Sequence, residues 1–277
     1  MQIIAEIGIN HNGSLDLAFQ LMKMAKEAGA DFVKFQKRTV NVVYSERDLA
    51  KPRESPWGTT NGEQKYGLEF SMDQYREIDK YSKAIELPWF ASSWDLQSLK
   101  QMDSFNPPFH KVASPMLTYR HFLHIVAQMG RKTLISCGAS TWIDIDYAVE
   151  IFQGRGCPFA LFHCVSEYPC PDEHVNLKML QTLKERYPGV EIGYSNHSAG
   201  IESCVGAAYI GAKFIECHIT LDRSGYGTDQ AASIERRGLE LVVKYAKNAE
   251  KIIGDGVRII REAEKINVAK MRYWEVI

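Results

Sequence analysis

The sequence predicts a single α/β domain over residues 1–277, a (β/α)8 TIM barrel, and three observations carry that expectation. Short β-rich runs alternate with stretches of helical period along the chain, which implies a parallel sheet covered by helices. Eight such units in about 250 residues match one closed barrel. No G-x-G-x-x-G follows the first strand and no Walker lysine motif occurs, which disfavours an open nucleotide-binding sheet.

The first run is IIAEI at 3–7, followed by 14–28, where Leu17, Leu21, Met24, Ala25 and Ala28 recur at helical steps. Ser14 is placed to cap that helix and Gly29 to end it. DFVKFQ at 31–36 is the second strand. A polar stretch rich in Pro, Gly and Thr spans 50–68, and its length marks it as a lid or substrate loop. Helical period returns at 71–86, before the third strand, WFASS, at 89–93. HKVAS at 110–114 leads to a helix near 119–129, and TLISC at 133–137 to one near 141–152. FALFHC at 159–164 leads to 175–186, VEIGYS at 190–195 to 198–210, and KFIECHI at 213–219 to a long helix near 235–252. The charges of 240–265 read as the solvated face of a helix, and Arg272, Tyr273 and Trp274 as packing or an oligomer contact.

Composition narrows the partners. With 45% hydrophobic and 24% charged residues, the chain is ordinary globular protein rather than disordered, collagenous or coiled coil. Lys+Arg 33 against Asp+Glu 34 leaves a net charge of -1, so no nucleic-acid partner is expected. No apolar run approaches the roughly 18 residues that span a bilayer. The opening MQIIAEIGIN lacks the basic start of a signal peptide. No membrane partner and a cytoplasmic location are therefore expected. Six cysteines without a CxxC pair read as reduced thiols, mostly in the core.

A barrel carries its chemistry at the C-terminal ends of its strands. Polar residues gather there: Glu6, Asn10 and His11; Lys34 and Gln36; Ser92, Ser93 and Asp95; Lys111 and Ser114; Ser136; His163, Ser166, Glu167 and Tyr168; Ser195, Asn196 and His197; Glu216 and His218, then Asp222, Arg223 and Asp229. Lys34 and Lys111 stand in apolar strands, where an unpaired ammonium is not tolerated. Either they bridge Glu6 or Glu216, or they build an anion site with hydroxyls from Ser92, Ser114, Ser136, Ser166 and Ser195. A Schiff-base role for Lys111 is a third reading, but it leaves the serines and histidines without work. His197 and His218 end consecutive strands and can chelate one divalent cation. Two protein ligands leave room for water or substrate, which suits an open catalytic site. His11 and His163 read as supporting groups.

The blocks AEIGINHNG (5–13), GADFVKFQ (29–36), HKVAS (110–114), LISCG (134–138), LFHCVSEYP (161–169), IGYSNHS (192–198) and FIECHITLDRSGYGTDQAAS (214–233) together resemble the sialic acid synthases. That family condenses phosphoenolpyruvate (PEP) with an amino sugar on a (β/α)8 barrel. The resemblance implies that Lys34 and Lys111 hold the charges of PEP, and that Ser92, Ser114, Ser136, Ser166 and Ser195 contact its phosphate and carboxylate. Ser92 and Ser166 stand where related proteins often have Thr and Asn. It implies His197 and His218 as ligands of Mn2+ or Mg2+, Glu6 beside the reacting water, and Gln36, Tyr168 and Asp229 against the sugar. Glu6, Lys34, Lys111 and His218 are the expected catalytic set.

Two departures stand out. Many members carry a glutamate two residues after the serine of the fourth strand, where this chain has Met116. A thioether moves no proton, so another group takes that work, or the barrel is a catalytically silent binder of PEP or sugar. Members also commonly carry a C-terminal antifreeze-like domain that lends an arginine to the partner's site, and this sequence stops at Ile277. The implied partners are PEP and an N-acetylmannosamine-like sugar, or alternatively a diacetamido-sugar or a phosphorylated aldose. A homo-oligomer follows the family habit.

Overall fold

The computed structural model describes residues 1–272 and residue 274. The strands, in chain order, are β1 (Gln2–Gly8), β2 (Phe32–Lys37), β3 (Pro52–Ser55), β4 (Gly58–Thr60), β5 (Trp89–Ser93), β6 (His110–Val112), β7 (Thr133–Ser136), β8 (Phe159–His163), β9 (Glu191–Asn196) and β10 (Phe214–His218). Eight of them close a parallel barrel in the order β1-β10-β9-β8-β7-β6-β5-β2. The remaining two, β3 and β4, pair with each other, antiparallel.

The barrel sorts its side chains by the two-residue period of a strand. One parity points outward: Ile3, Ala5, Ile7, Val33, Phe35, Val112, Ile135, Leu161, Ile192 and Ile215 join the large cluster shared with the helices. The other parity points inward. Ile4, Phe90, Phe109, Leu134, Ala160, Phe162 and Phe214 fill the barrel, with Phe32 against them. Two residues further along, Ile4, Phe32, Phe90, Phe109, Leu134 and Phe214 are succeeded by Glu6, Lys34, Ser92, Lys111, Ser136 and Glu216. A dry aromatic floor therefore carries a polar layer directly above it. Gly193 belongs to this packing, because a Cβ there would stand 2.8 Å from the Phe162 ring.

The helices follow the expected alternation, with informative differences. Leu15–Ala28 starts where Leu17 N–H donates to Ser14 Oγ and stops at Gly29 in the left-handed region. The helix expected at 175–186 is a short turn, Asp172–Val175, followed by Met179–Arg186. A helix not expected, Leu96–Asp103, joins β5 to β6. Asp95, grouped above with the strand-end polar residues, is its N-cap. Its carboxylate accepts from Ser98 N–H at 2.7 Å, Ser98 Oγ at 2.6 Å, Thr39 N–H at 2.7 Å and Thr39 Oγ1 at 3.0 Å. These bonds fasten the β2 loop to the helix and leave Asp95 no capacity for a ligand.

The 50–68 stretch is structured. It holds the β3–β4 hairpin and the helix Asn61–Leu68, whose capping box joins Thr60 and Glu63. Strands of four and three residues are too short to show a period, which is why the sequence reads as loop. Trp57 and Tyr226 meet edge to face at 5.8 Å, and Gln64 Nε2 donates to Tyr226 Oη at 2.8 Å. Gly67 is required under Trp57, since a Cβ would stand 2.2 Å from the indole; a Cβ on Gly13 would stand 2.1 Å from Gly67 O. The final barrel helix, Arg236–Ile253, ends at Gly254. Beyond it, Glu262–Met271 forms a helix with no buried residue, and Trp274 is exposed. Tyr273 lies outside the described residues. All six cysteines are free, and all but Cys137 are buried. Among the described residues no helix is long and apolar enough to cross a membrane.

Asp95 gives a stability prediction with a pH sign. Burial opposes its charge, but hydrogen bonds from Ser98 and then Thr39 outweigh it and hold the carboxyl below its ordinary 3.8. A lowered carboxyl stabilises the fold above its unfolded pKa and ceases to as pH falls through the folded value. Asp95→Ala is expected to cost about 2 kcal/mol near neutrality, a cap plus charged hydrogen bonds. The deficit should shrink as pH drops below 3.8. Urea melts of both proteins across that range check this, and a deficit constant with pH contradicts it.

Candidate active site

Glu6, Lys34, Gln36, Ser92, Lys111, Ser114, Ser136, Ser166, Tyr168, Ser195, His197, His218 and Asp229 all line one cavity of about 240 Å3 at the C-terminal end of the barrel. The inward parity brings most of them there. Ser114, Ser166, Tyr168 and Asp229 come from the turns just beyond the strands. Arg38, Trp94, Ala113, Pro115 and Glu216 complete the lining. Arg38 was not singled out from the sequence, although it continues the parity of Lys34 and Gln36. Glu216 was read there as a bridge partner and is equally part of the cavity wall.

The centre is a four-charge cluster. Lys34 Nζ lies 2.9 Å from Glu6 Oε2 and 3.5 Å from Glu216 Oε1, and Lys111 Nζ lies 3.5 Å from Glu216 Oε2. The bridges and the cavity-facing ammoniums therefore coexist. All four side chains are at most 4% exposed. Burial works against the Lys34 ammonium, yet Glu216 and then Glu6 hold its pKa above the ordinary value. Burial dominates at Lys111 and lowers it, with Glu216 opposing. Glu216 is itself desolvated, but Lys111 and Lys34 pull it down to about 2, so it is a carboxylate at neutral pH. Burial raises Glu6 more than Lys34 lowers it. Lys111 Nζ also stands 4.3 Å above the Phe162 ring of the floor.

The serines surround these charges. Lys34 donates to Ser92 Oγ at 2.9 Å and Lys111 to Ser136 Oγ at 2.6 Å. Each hydroxyl thereby accepts and keeps its own proton for another acceptor. Ser114 Oγ accepts from Gly138 N–H at 3.1 Å, and Ser195 Oγ donates to Glu216 at 3.0 Å. A Cβ on Gly138 would stand 2.6 Å from Ser166 Oγ, 2.8 Å from Ser114 Oγ and 2.9 Å from Cys164 Sγ. Only a bare backbone fits where these side chains converge.

The imidazoles stand on the opposite wall. The His197 and His218 ring centroids are 5.4 Å apart. His197 Nδ1 bonds Val165 O, and a carbonyl only accepts, so the proton is on Nδ1 and the Nε2 lone pair is free. That lone pair meets the Tyr168 hydroxyl at 2.9 Å. Burial, then repulsion by His218, lowers His197 to about 3 and keeps it neutral. Nδ1 of His218 is buried without a hydrogen-bond partner, 3.6 Å from Asp229 Oδ2. Two adjacent imidazoles are the kind of donor pair a divalent cation takes. Among the described residues no group of three or more His, Cys, Asp or Glu is placed to hold an ion, so a site here depends on water or substrate for its other ligands.

The acceptor side is a relay of polar groups. Gln36 Nε2 donates to Glu6 Oε1 at 2.9 Å, and Gln36 Oε1 takes the Arg38 guanidinium. An ideal Cβ on Gly8 would have Glu6, Gln36 and Asp229 as neighbours, from 3.2 to 3.5 Å. Met116 is buried and does not reach the cavity, whose wall at that turn is Pro115. His11 stacks on Phe70 at 4.0 Å and His163 is bonded to Val175 O at 2.7 Å, so both are packing residues outside the cavity.

Fold and site define a barrel enzyme whose mouth concentrates anion-binding and imidazole groups. Residues 21–258 match the model of the NeuB family, and the chain belongs to that family. Over 264 residues it is 37% identical to N-acetylneuraminate-9-phosphate synthase of Homo sapiens, covering 95% of this chain and 74% of that one. It is 31% identical over 280 residues to N,N'-diacetyllegionaminic acid synthase of Campylobacter jejuni, covering 98% and 82%. The crystal structure of N-acetylneuraminic acid synthetase from Leptospira borgpetersenii, in complex with citrate, superposes with a TM-score of 0.85 at 30% identity, covering 99% of this chain and 92% of that one. The chain is thus a carbon–carbon bond-forming synthase of the sialic-acid type.

Gly138→Ala tests the cradle without touching a charge. Its backbone is not in the left-handed region, so the methyl meets only Ser166, Ser114 and Cys164. The variant is expected to melt within a few degrees of the parent while PEP affinity, by calorimetry, falls roughly tenfold or more. Unchanged affinity would place PEP elsewhere.

Proposed function

We propose that the chain condenses PEP with an amino-sugar aldehyde of the N-acetylmannosamine type, giving a 2-keto-3-deoxy sugar acid and phosphate. The observation that carries this reading is the pair of buried ammoniums, each bonded to a serine hydroxyl, in one cavity with two adjacent imidazoles.

Lys34 and Lys111 would take the phosphate and carboxylate of PEP as charge partners. Ser92, Ser114, Ser136 and Ser166 would donate their free hydroxyl protons to those oxygens. Ser195 instead donates to Glu216 and fixes the carboxylate between the lysines. The acceptor would lie with its hydroxyls against Gln36, Tyr168 and Asp229 and its aldehyde toward His197 and His218. The imidazoles would hold Mn2+ or Mg2+, which when bound supplies Lewis-acid polarisation of the aldehyde.

C3 of PEP attacks the aldehyde carbon, forming the carbon–carbon bond and leaving cationic character at C2. Water adds at C2, and its proton passes to Glu6, whose raised pKa suits a proton acceptor beside the cavity. The C2–O bond to phosphate then breaks, and C2 becomes the keto carbon. The new alkoxide on the former aldehyde carbon takes up the proton that the adding water gave to Glu6, and the C2 hydroxyl proton leaves with the phosphate, so the steps balance; Asp229, 3.6 Å from His218 Nδ1, lies on that wall. Met116 has no part in these transfers. Fixing both substrates in attack geometry contributes on the order of 7–11 kcal/mol when alignment is good.

The test is phosphate release from PEP, dependent on N-acetylmannosamine or a diacetamido-sugar and on Mn2+. Lys111→Ala is expected to lower kcat/KM by about 100-fold or more. His218→Ala should lose Mn2+ binding as read by electron paramagnetic resonance. Turnover indifferent to both substitutions removes the residue assignment.

A further inference from the structure

Glu69 follows the helix Asn61–Leu68 as its C-cap, on the segment between β2 and β5. Its side chain is 12% exposed and does not line the cavity. Oε2 accepts from Lys37 Nζ at 3.1 Å and from Arg38 N–H at 3.2 Å, and Oε1 lies 3.6 Å from the Arg38 guanidinium. Lys37 Nζ is tied in turn to Phe70 O at 3.0 Å and Arg38 O at 3.2 Å. The guanidinium carbon of Arg38 stands 4.3 Å from the Trp94 ring centroid. Ion pair and indole together hold the guanidinium in place.

From Arg38 the contacts run inward. The guanidinium donates to Gln36 Oε1, and Gln36 Nε2 donates to Glu6 Oε1 at 2.9 Å. The order of these two bonds is chemically forced. A guanidinium has donors only and keeps its proton, so the amide must turn its oxygen to Arg38. The amide nitrogen then faces Glu6, and Glu6 Oε1 must accept. Glu6 Oε2 is held by Lys34 Nζ at 2.9 Å. One oxygen of Glu6 is thus fixed by Lys34 and the other by a chain of contacts that begins at Glu69. Turning the amide over sets oxygen against carboxylate and nitrogen against cation. Among the described residues no third group hydrogen-bonds the Gln36 amide; Tyr75 takes only the Gln36 backbone carbonyl, at 2.8 Å.

We propose that Glu69 is a positioning residue of this barrel: through Arg38 it fixes the Gln36 amide, and through the amide it holds Glu6 in place as an acceptor at the cavity. The effect on turnover rests on the synthase reading above; the fixed amide rests on the contacts alone. Glu69 itself touches no substrate. By this route the segment between β2 and β5 reaches the central charge cluster without entering the cavity. The same orientation decides what Gln36 shows a sugar, since one N–H and one oxygen lone pair of the amide remain free in set directions.

The experiment reads the amide first and turnover second. The Gln36 side-chain NH2 pair is observed by 15N–1H NMR on the full chain without substrates and identified by its loss in Gln36→Met. Glu69→Gln and Arg38→Met are each expected to shift and broaden that pair. Arg38→Met leaves the Lys37–Glu69 pair intact, so either variant carries the test if the other melts early. Phosphate release from PEP with Mn2+ and N-acetylmannosamine or a diacetamido-sugar should fall by about tenfold in kcat in each variant. The KM for PEP should stay within about twofold, because Lys34 and Lys111 are untouched. Adding Glu69→Gln to Gln36→Met should cost less than about twofold more, as expected of residues acting in one chain. An amide pair unmoved in the folded variants, a loss in KM for PEP rather than in kcat, or losses that multiply in the double variant overturns the assignment. If the amide moves as expected but the parent turns over no acceptor, the positioning chain stands and the synthase reading falls. If the parent turns over and Glu69→Gln changes neither amide nor kcat, the synthase reading stands and the positioning role falls.

Discussion

The structure depends on burying two ammoniums and two carboxylates together at the centre of a barrel. None of the four could be there alone, because an isolated buried charge costs several kcal/mol even after relaxation. Glu216 resolves this by lying between Lys34 and Lys111 at 3.5 Å from each. Glu6 closes on Lys34 from the other side at 2.9 Å. The arrangement is available only because parallel strands in a closed barrel set the same parity side by side. Glu6 pairs in register with Lys34, and Ser92 with Lys111. Below them the aromatic layer excludes water, so the charges interact in a low-dielectric setting where their geometry counts for more.

A neutral cluster of this kind is a receptor held in readiness. The carboxylates facing Lys34 outweigh its burial and favour its ammonium, whereas at Lys111 burial prevails over Glu216. An arriving dianion does not enter an empty positive hole; it shares ammoniums that Glu216 already holds in place. What it gains immediately are hydroxyl protons, since Ser92 and Ser136 accept from the lysines and have their own protons left to give. Two separated ammoniums, each with its serine, are a pattern that an anion with two separated charged groups would match. The opposite wall is built on another principle. Its imidazoles are buried, and the Val165 carbonyl and the Tyr168 hydroxyl fix the tautomer of His197.

Much of this was legible in the sequence, for a physical reason. A lysine in FVKFQ or FHKVAS violates the apolar pattern around it, and such a violation calls for buried carboxylates, a site, or both. Ser92, Ser136, Ser195, His197 and His218 share the parity of those lysines, and the structure gathers them with Lys34 and Lys111 into one cavity. What was not legible lay where period and composition carry no signal. The helix Leu96–Asp103 is eight residues long, and its cap, Asp95, resembles a site residue until its four donors are seen. The hairpin in 50–68 is shorter than any period it could display. Arg38 lies one residue past its strand, where the alternation is no longer enforced. Met116 shows the converse limit: position in a motif says nothing of direction, and its side chain faces the core.

The two halves of the cavity therefore come from different sources, and that separates their functions. The charged centre of the inner half, Glu6, Lys34, Lys111 and Glu216, is strand and is tied to barrel register; changing it means changing the barrel. The outer half is supported by the segment between β2 and β5, fastened by Trp57 to Tyr226, by Gln64 to Tyr226, and by the close approach of Gly13 to Gly67. Those contacts join it to the loops after β1 and β10 rather than to the strands. The segment can change its charges without disturbing a hydrogen bond to Lys34, Lys111 or Glu216. A strand-built inner half and a loop-built outer half is an arrangement in which one barrel can carry different outer contacts. The relatives named for N-acetylneuraminate 9-phosphate and diacetyllegionaminic acid synthesis share this barrel at 37% and 31% identity.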